Sequence, residues 1–200
     1  MFAFISGTLE SKTNNAVIIE AGGIGYRVFM PAKSIQKLPE TGEFVKVHTY
    51  YYVREDNISL YGFNTVEELR MFELLLSVSG IGAKSAVVIV SEMSPSKFAL
   101  DVITNDVSDL VKVPGIGKKT AQRIILDLKD KLKTESAISS EEIEQENIVT
   151  ETNNEIDEAV AALQVLGYTK KDIDNAFAKM QLKDLSVEDI IRKALVILAK

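Results

Sequence analysis

Two stretches of this chain repeat one pattern, and its chemistry is anion binding. Ser77-Val78-Ser79-Gly80-Ile81-Gly82-Ala83-Lys84-Ser85-Ala86 matches Lys112-Val113-Pro114-Gly115-Ile116-Gly117-Lys118-Lys119-Thr120-Ala121 at an offset of 35 residues, and Ile89 and Ile124 keep the register further on. A Gly-Ile-Gly between helical stretches lets the backbone turn tightly and leaves no side chain in the way of a ligand. A helix that starts at the second glycine presents unpaired N–H groups, and its dipole favours an anion there. Lys84 and Lys119 follow that glycine at equivalent places, and Lys118 adds charge to the second copy. Each can supply a point charge to a phosphate. One such hairpin would fit an ordinary glycine-capped corner equally well. Two in register, each followed by lysine and then Ser or Thr, favour binding. The expected contact set is Gly80, Ile81, Gly82, Ala83, Lys84 and Ser85, with Gly115, Ile116, Gly117, Lys118, Lys119, Thr120 and Arg123.

Rival chemistries fail on residue type. A Walker A loop ending at Gly117 would need glycine at 112 and Ser or Thr at 119, where Lys112 and Lys119 stand. A dinucleotide fingerprint would need a third glycine where Ser85 and Thr120 stand, and a preceding strand. The single histidine, His48, has no metal-spaced neighbours, and the chain has no cysteine. With no nucleophile–base set to name, no catalytic residue, metal site or cofactor is expected. The missing cysteines also fit a reducing compartment, so a cytoplasmic location is expected. The N-terminus does not read as a signal peptide, and the longest apolar run, Ala194 to Ala199, is too short to cross a bilayer.

Three regions must position these residues. Residues 1–64 are strand-like, with β-branched and aromatic runs at 2–6, 16–19, 26–30, 45–53 and 58–61. A helical patch, Ser34 to Leu38, lies between the third and fourth runs. That order is the one of an OB-fold barrel, with another small β-barrel as the alternative. Residues 65–133 are a helical region carrying both hairpins, a tandem helix-hairpin-helix domain. Residues 134–154 hold six acidic side chains and no basic one, and read as a flexible linker. Residues 155–200 predict a three-helix bundle, with Gly167 ending the first helix and Ser186/Asp189 spaced to cap the last. The chain is thus β then α in class.

The net charge of −6 is unevenly spread: 0 over residues 1–64, +1 over 65–133 and −7 over 134–200. A nucleic-acid site in the first two thirds must therefore work by local placement of lysines and backbone dipoles.

Further motifs complete a resemblance. Val53-Arg54-Glu55-Asp56, Leu60-Tyr61-Gly62-Phe63, the two hairpins, Ala159-Val160-Ala161-Ala162-Leu163 and Leu166-Gly167-Tyr168 together closely resemble the RuvA family, the Holliday-junction-binding subunits of the bacterial branch-migration complex. The resemblance covers essentially the whole chain. Ala83 departs from it, since the family often has proline there.

The resemblance implies a homotetramer, with an octamer on DNA left open, that holds four duplex arms by their phosphates. It implies that Glu55 and Asp56 form an acidic pin at the junction centre. It implies that Leu163, Leu166, Tyr168 and Leu195 match the face that docks the AAA+ motor RuvB, although so small a bundle needs some of its leucines for its own core. It also brings in the RuvC resolvase as a further partner. Carboxylates at a turn on a DNA-facing surface would repel phosphates at short range.

Two other classes compete. A repair enzyme with hairpin anchors would need a catalytic cluster. A single-strand binder would need stacking aromatics on one face, which Tyr50, Tyr51 and Tyr52 cannot all share on one strand.

Overall fold

The computed structural model describes residues 2–55, 57–139, 154–182 and 185–198. Five strands, β1 (Phe4–Lys12), β2 (Ala16–Ala21), β3 (Ile24–Phe29), β4 (Phe44–Val53) and β5 (Ile58–Phe63), close into a barrel in the order β1-β2-β3-β5-β4. Helix α1 (Ala32–Gln36) lies between β3 and β4. The barrel closes where β1 pairs antiparallel with β4 and β3 meets β5 in parallel at Phe29 and Tyr61. This is the OB-like barrel that the sequence order predicts. β1 is longer than its apolar run suggests, because its second half bends through a register shift between Leu9 and Ser11 to pair with β2.

Alternation sets the two faces of each strand. Ile5, Leu9, Val17, Ile19, Val28, Met30, Val45, Val47 and Leu60 fill the barrel, and Ile35 of α1 plugs it. Gly7 stands where β1 crosses closest to β2: a Cβ there would lie 1.9 Å from the Glu20 carbonyl oxygen. Because the obstacle is backbone, no rotamer change relieves it. Gly7→Ala should cost about 1–3 kcal/mol or more, as overpacked cores do, which urea denaturation of the pair would measure.

β5 is buried on both sides from Ser59 onward. Its outer face is covered by helix α2 (Val66–Leu76), whose Phe72 ring contacts Tyr50, Tyr61 and Phe63 at centroid distances of 5.5, 5.2 and 4.8 Å. Tyr50 and Tyr52 therefore face the helical region, and Tyr51 points to the other side against Phe2. These tyrosines form no shared stacking platform, so the single-strand reading loses its requirement. A carboxylate fixes the joint between barrel and helices: Glu68 accepts from the Asn64 N–H at 3.0 Å and the Ser34 hydroxyl at 3.2 Å.

The helical region continues with α3 (Ala83–Glu92), α4 (Pro95–Thr104), α5 (Ser108–Lys112) and α6 (Lys118–Ser139). α6 runs past 133 into the stretch read as linker, as helix elongation adds one hydrogen bond per residue once a turn exists. The remainder of that linker, 140–153, lies outside the described residues. α7 (Asn154–Val165), α8 (Lys170–Phe177) and α9 (Val187–Leu198) form the third region.

The expected stop at Gly167 is a Schellman motif. Gly167 has a φ of +82°, its N–H donates to the Gln164 carbonyl, and the Tyr168 N–H donates to Leu163. The Ser186 hydroxyl accepts from the Asp189 N–H at 3.2 Å, capping α9. This bundle does not stand apart. α7 packs between α9 and α4, and one apolar core runs from Tyr61 to Ala194.

Candidate nucleic-acid interface

Each Gly-Ile-Gly builds the same local geometry. In the first, the Ile81 N–H donates to the Val78 carbonyl at 3.2 Å, and Gly80 has a φ of +84°. In the second, the Ile116 N–H donates to Val113 at 3.0 Å, and Gly115 has a φ of +82°. A one-to-four bond with positive φ at the third residue marks a type II turn, and Pro114 sits where that turn favours proline. Gly80 and Gly115 are thus demanded by backbone conformation.

Gly82 and Gly117 are demanded by nothing inside the protein. Neither has a positive φ, and a Cβ on either would meet no atom within 4 Å. Each precedes a helix: the Ala86 N–H is the first to bond back to Gly82, and Ala121 the first to bond back to Gly117. The N–H groups of Ala83, Lys84 and Ser85, and of Lys118, Lys119 and Thr120, are left over by helix geometry.

Several other helices cap such ends with side chains, while the N-cap residues of the five-residue α1 and α5 supply none. Thr65 caps α2, Ser94 caps α4, and Thr169 caps α8. Gly82 offers α3 no side-chain cap. The two helices after the Gly-Ile-Gly turns therefore keep open donors, exposed glycines and exposed Lys84, Lys118 and Lys119 beside them. Free N–H donors and positive charge at a helix start are the features that suit an anion.

Some expected contact residues play other parts. Ile81, Ile116 and Ala83 are buried, so they anchor the hairpins and offer only backbone outward. Ser85 and Thr120 are half-buried. Arg123 is exposed, yet its guanidinium Nη1 lies 3.5 Å from the Ser79 carbonyl, across from its own hairpin.

Lys112, inside the second repeat, is held by Asp109 at 2.6 Å. That bond raises the lysine's pKa above its ordinary value and lowers the carboxyl's. Asp109 also meets Lys97 at 3.2 Å, and Lys97 meets the fully buried Asp101 at 2.8 Å. Burial pushes the Asp101 carboxyl up.

Among the expected pin residues, Glu55 is exposed at the tip of the β4–β5 hairpin, where the Arg54 N–H donates to Asn57 at 2.8 Å. Asp56 lies outside the described residues. His48 sits mid-strand, opposite Phe4 and Phe63, and burial followed by Lys46 lowers its pKa below the ordinary imidazole range. Among the described residues, no group of His, Cys, Asp and Glu could hold a metal ion, and no helix is long and apolar enough to cross a membrane.

The face expected to dock a motor is not a surface in this arrangement. Leu163 and Leu166 are 0% and 1% exposed and Tyr168 is 9% exposed, while Leu195 is half-buried. α7, which carries Leu163, packs against α4 and α9, and Tyr168 lies against Glu67 and Arg70 of α2. The large exposed apolar side chain of α9 is Val196.

Sequence reasoning also missed a buried polar contact. The Tyr168 hydroxyl donates to the Glu67 carboxylate at 2.7 Å, Arg70 lies 4.2 Å above the Tyr168 ring, and Arg70 Nη1 donates to the Leu166 carbonyl at 3.3 Å. Residues a hundred positions apart carry no local signal of such a contact.

Comparison with known proteins agrees with this architecture. Residues 1–62 match the model of the RuvA N terminal domain, residues 72–130 that of the SAM-like helix-hairpin-helix tandem, and residues 154–199 that of the RuvA C-terminal domain. The chain is 51% identical over 201 residues to a protein of Acetivibrio thermocellus named Holliday junction branch migration complex subunit RuvA, covering 100% of each. It is 50% identical over 196 residues to the protein of that name from Ruminiclostridium cellulolyticum, covering 98% of each. A Clostridium perfringens protein of the same name is 41% identical over 202 residues, covering 100% of each. With full-length identity at this level and all three regions matched in order, the chain belongs to the RuvA family.

Proposed function

We propose that this protein recognises four-way DNA junctions as the non-catalytic subunit of a branch-migration complex. The carrying observation is the matched pair of uncapped helix N-termini, each behind an exposed glycine that no neighbouring atom requires. Two such sites hold a duplex by its phosphates and carry no sequence information. A partner motor, RuvB, supplies ATP hydrolysis. A homotetramer presents one hairpin pair to each arm, with an octamer on DNA left open, and the RuvC resolvase is a further partner. The names of the full-length relatives support this reading.

The test is quantitative. Lys84→Ala and Lys119→Ala should each weaken binding to a four-way junction and lower the slope of log affinity against log salt by about one. Sequence changes in the arms should leave affinity nearly unchanged. Unaltered affinity and slope in both variants would rule out the phosphate sites.

The barrel hairpin adds selectivity in this reading. Glu55, exposed at its tip, repels phosphates near the crossover. Glu55→Gln should raise affinity for linear duplex and shrink the preference for a junction. The effect should be larger at low salt, because the Debye length is roughly 8–10 Å at ordinary ionic strength. An affinity ratio that stays flat across a salt series would remove Glu55 from the site.

A further inference from the structure

The first hairpin does not satisfy its own turn. α2 has no basic residue in its last turn, and its C-terminal carbonyls carry the negative end of the helix dipole. Leu74 and Leu75 find local donors in Ser77 and Val78, and Val78 takes the Ile81 N–H. The carbonyls of Ser77 and Ser79 are served from elsewhere. Lys131 Nζ donates to Ser77 at 2.8 Å, and Arg123 Nη1 reaches Ser79 at 3.5 Å. The same Arg123 nitrogen lies 3.3 Å from where a Gly80 side chain would begin.

Both cations stand on α6, the helix whose first turn is the second phosphate site. Two long side chains rooted eight residues apart on one helix thus converge on carbonyls two residues apart in the other hairpin.

We propose that Lys131 and Arg123 are positioning residues, a bridge from the second hairpin's helix to the first hairpin's turn that fixes the spacing of the two phosphate sites. This rests on the phosphate reading of the hairpins. Two weak sites held at one separation act as a linked pair, because binding at one gives the other a high effective concentration of its phosphate. Without the bridge each site keeps its own donors and lysine, but the pair is less well matched to one duplex arm. Affinity is lost while the number of phosphates contacted is not.

The experiment uses the full chain and a four-way junction across a salt series, with Lys131→Met, Arg123→Gln and their double variant. Lys84→Ala serves as the control for the phosphate reading. We expect each single variant to lose about three- to tenfold in affinity and the double variant more, with the salt slope at its parent value. Losing a direct phosphate ligand would instead lower the slope by about one. Lys131→Arg, which keeps a donor of sufficient length, should restore most of the affinity. Both bonds are exposed, so the thermal midpoints should stay near the parent's.

A slope reduced by about one in Lys131→Met and Arg123→Gln would make them phosphate ligands and overturn the proposal, as would unchanged affinity in the double variant. If Lys84→Ala itself leaves affinity and slope untouched, the underlying phosphate reading fails instead.

Discussion

Replacing Gly82 and Gly117 by serine is expected to make the protein slightly more stable and much poorer at binding DNA. Serine is among the preferred residues at a helix N-cap, and glycine falls only a few tenths of a kcal/mol behind it. At Gly82 the backbone already has cap geometry, with φ −95° and ψ 168°, and a Cβ at either glycine points into open space. A serine Oγ there can accept the free N–H two or three residues on, as the Thr65 hydroxyl accepts the Glu68 N–H at 3.1 Å. Each helix should gain about a few tenths of a kcal/mol.

The same hydroxyl occupies a donor that a phosphate would use, and its Cβ stands where the phosphate must approach. A hydrogen bond to a charged group contributes about 1.5–3 kcal/mol, and about 1.4 kcal/mol is tenfold in affinity. Each substitution should therefore weaken junction binding about tenfold or more, and the pair by a hundredfold or more. Thermal midpoints and junction affinities of the two singles and the double check both signs. Binding that survives the double substitution would mean that the helix N-termini are not the sites.

Tyr168→Phe is expected to loosen the third region from α2 at little cost to packing volume. The Glu67 side chain is buried at 5% exposure, and its carboxylate accepts the Tyr168 hydroxyl at 2.7 Å. Phenylalanine keeps the ring beneath Arg70 but removes that donor. An acceptor left buried and unsatisfied costs about 1–3 kcal/mol, and more when it is charged.

The contact also predicts an alkaline transition. Burial first, and then Glu67, raise the Tyr168 phenol above its ordinary pKa. A phenol raised in the folded state contributes its stability fully below the unfolded value of about 10. That stability is lost as pH rises past this value toward the folded one. Parent stability should therefore fall with pH above about 10, and the Tyr168→Phe variant should fall less steeply. Urea denaturation of both proteins from pH 8 to 11 measures this, and equal midpoints at pH 8 would show that Glu67 finds another donor.

Much of this was legible in the sequence because it is encoded locally. A positive φ at Gly80, Gly115 and Gly167 follows from the residue type and its neighbours. The period-two alternation of β4 told its inner face from its outer one, and the three successive tyrosines had to divide between them. The repeat at an offset of 35 residues announced two equal hairpins before any packing was known.

Tertiary structure decided where side chains go once the elements meet. Arg123 reads in sequence as one more cation beside a phosphate site, yet it reaches the turn of the other hairpin. Lys131 gives no sign of its target, since nothing near it in the chain identifies the Ser77 carbonyl. Leu163 and Leu166 fit an exposed docking face as well as a core, and only the approach of α4 to α7 places them inside. Periodicity marks which face of a helix is apolar. It does not say which partner covers that face, because that choice rests on contacts between residues as distant as Glu67 and Tyr168, whose pairing appears only when the chain is folded.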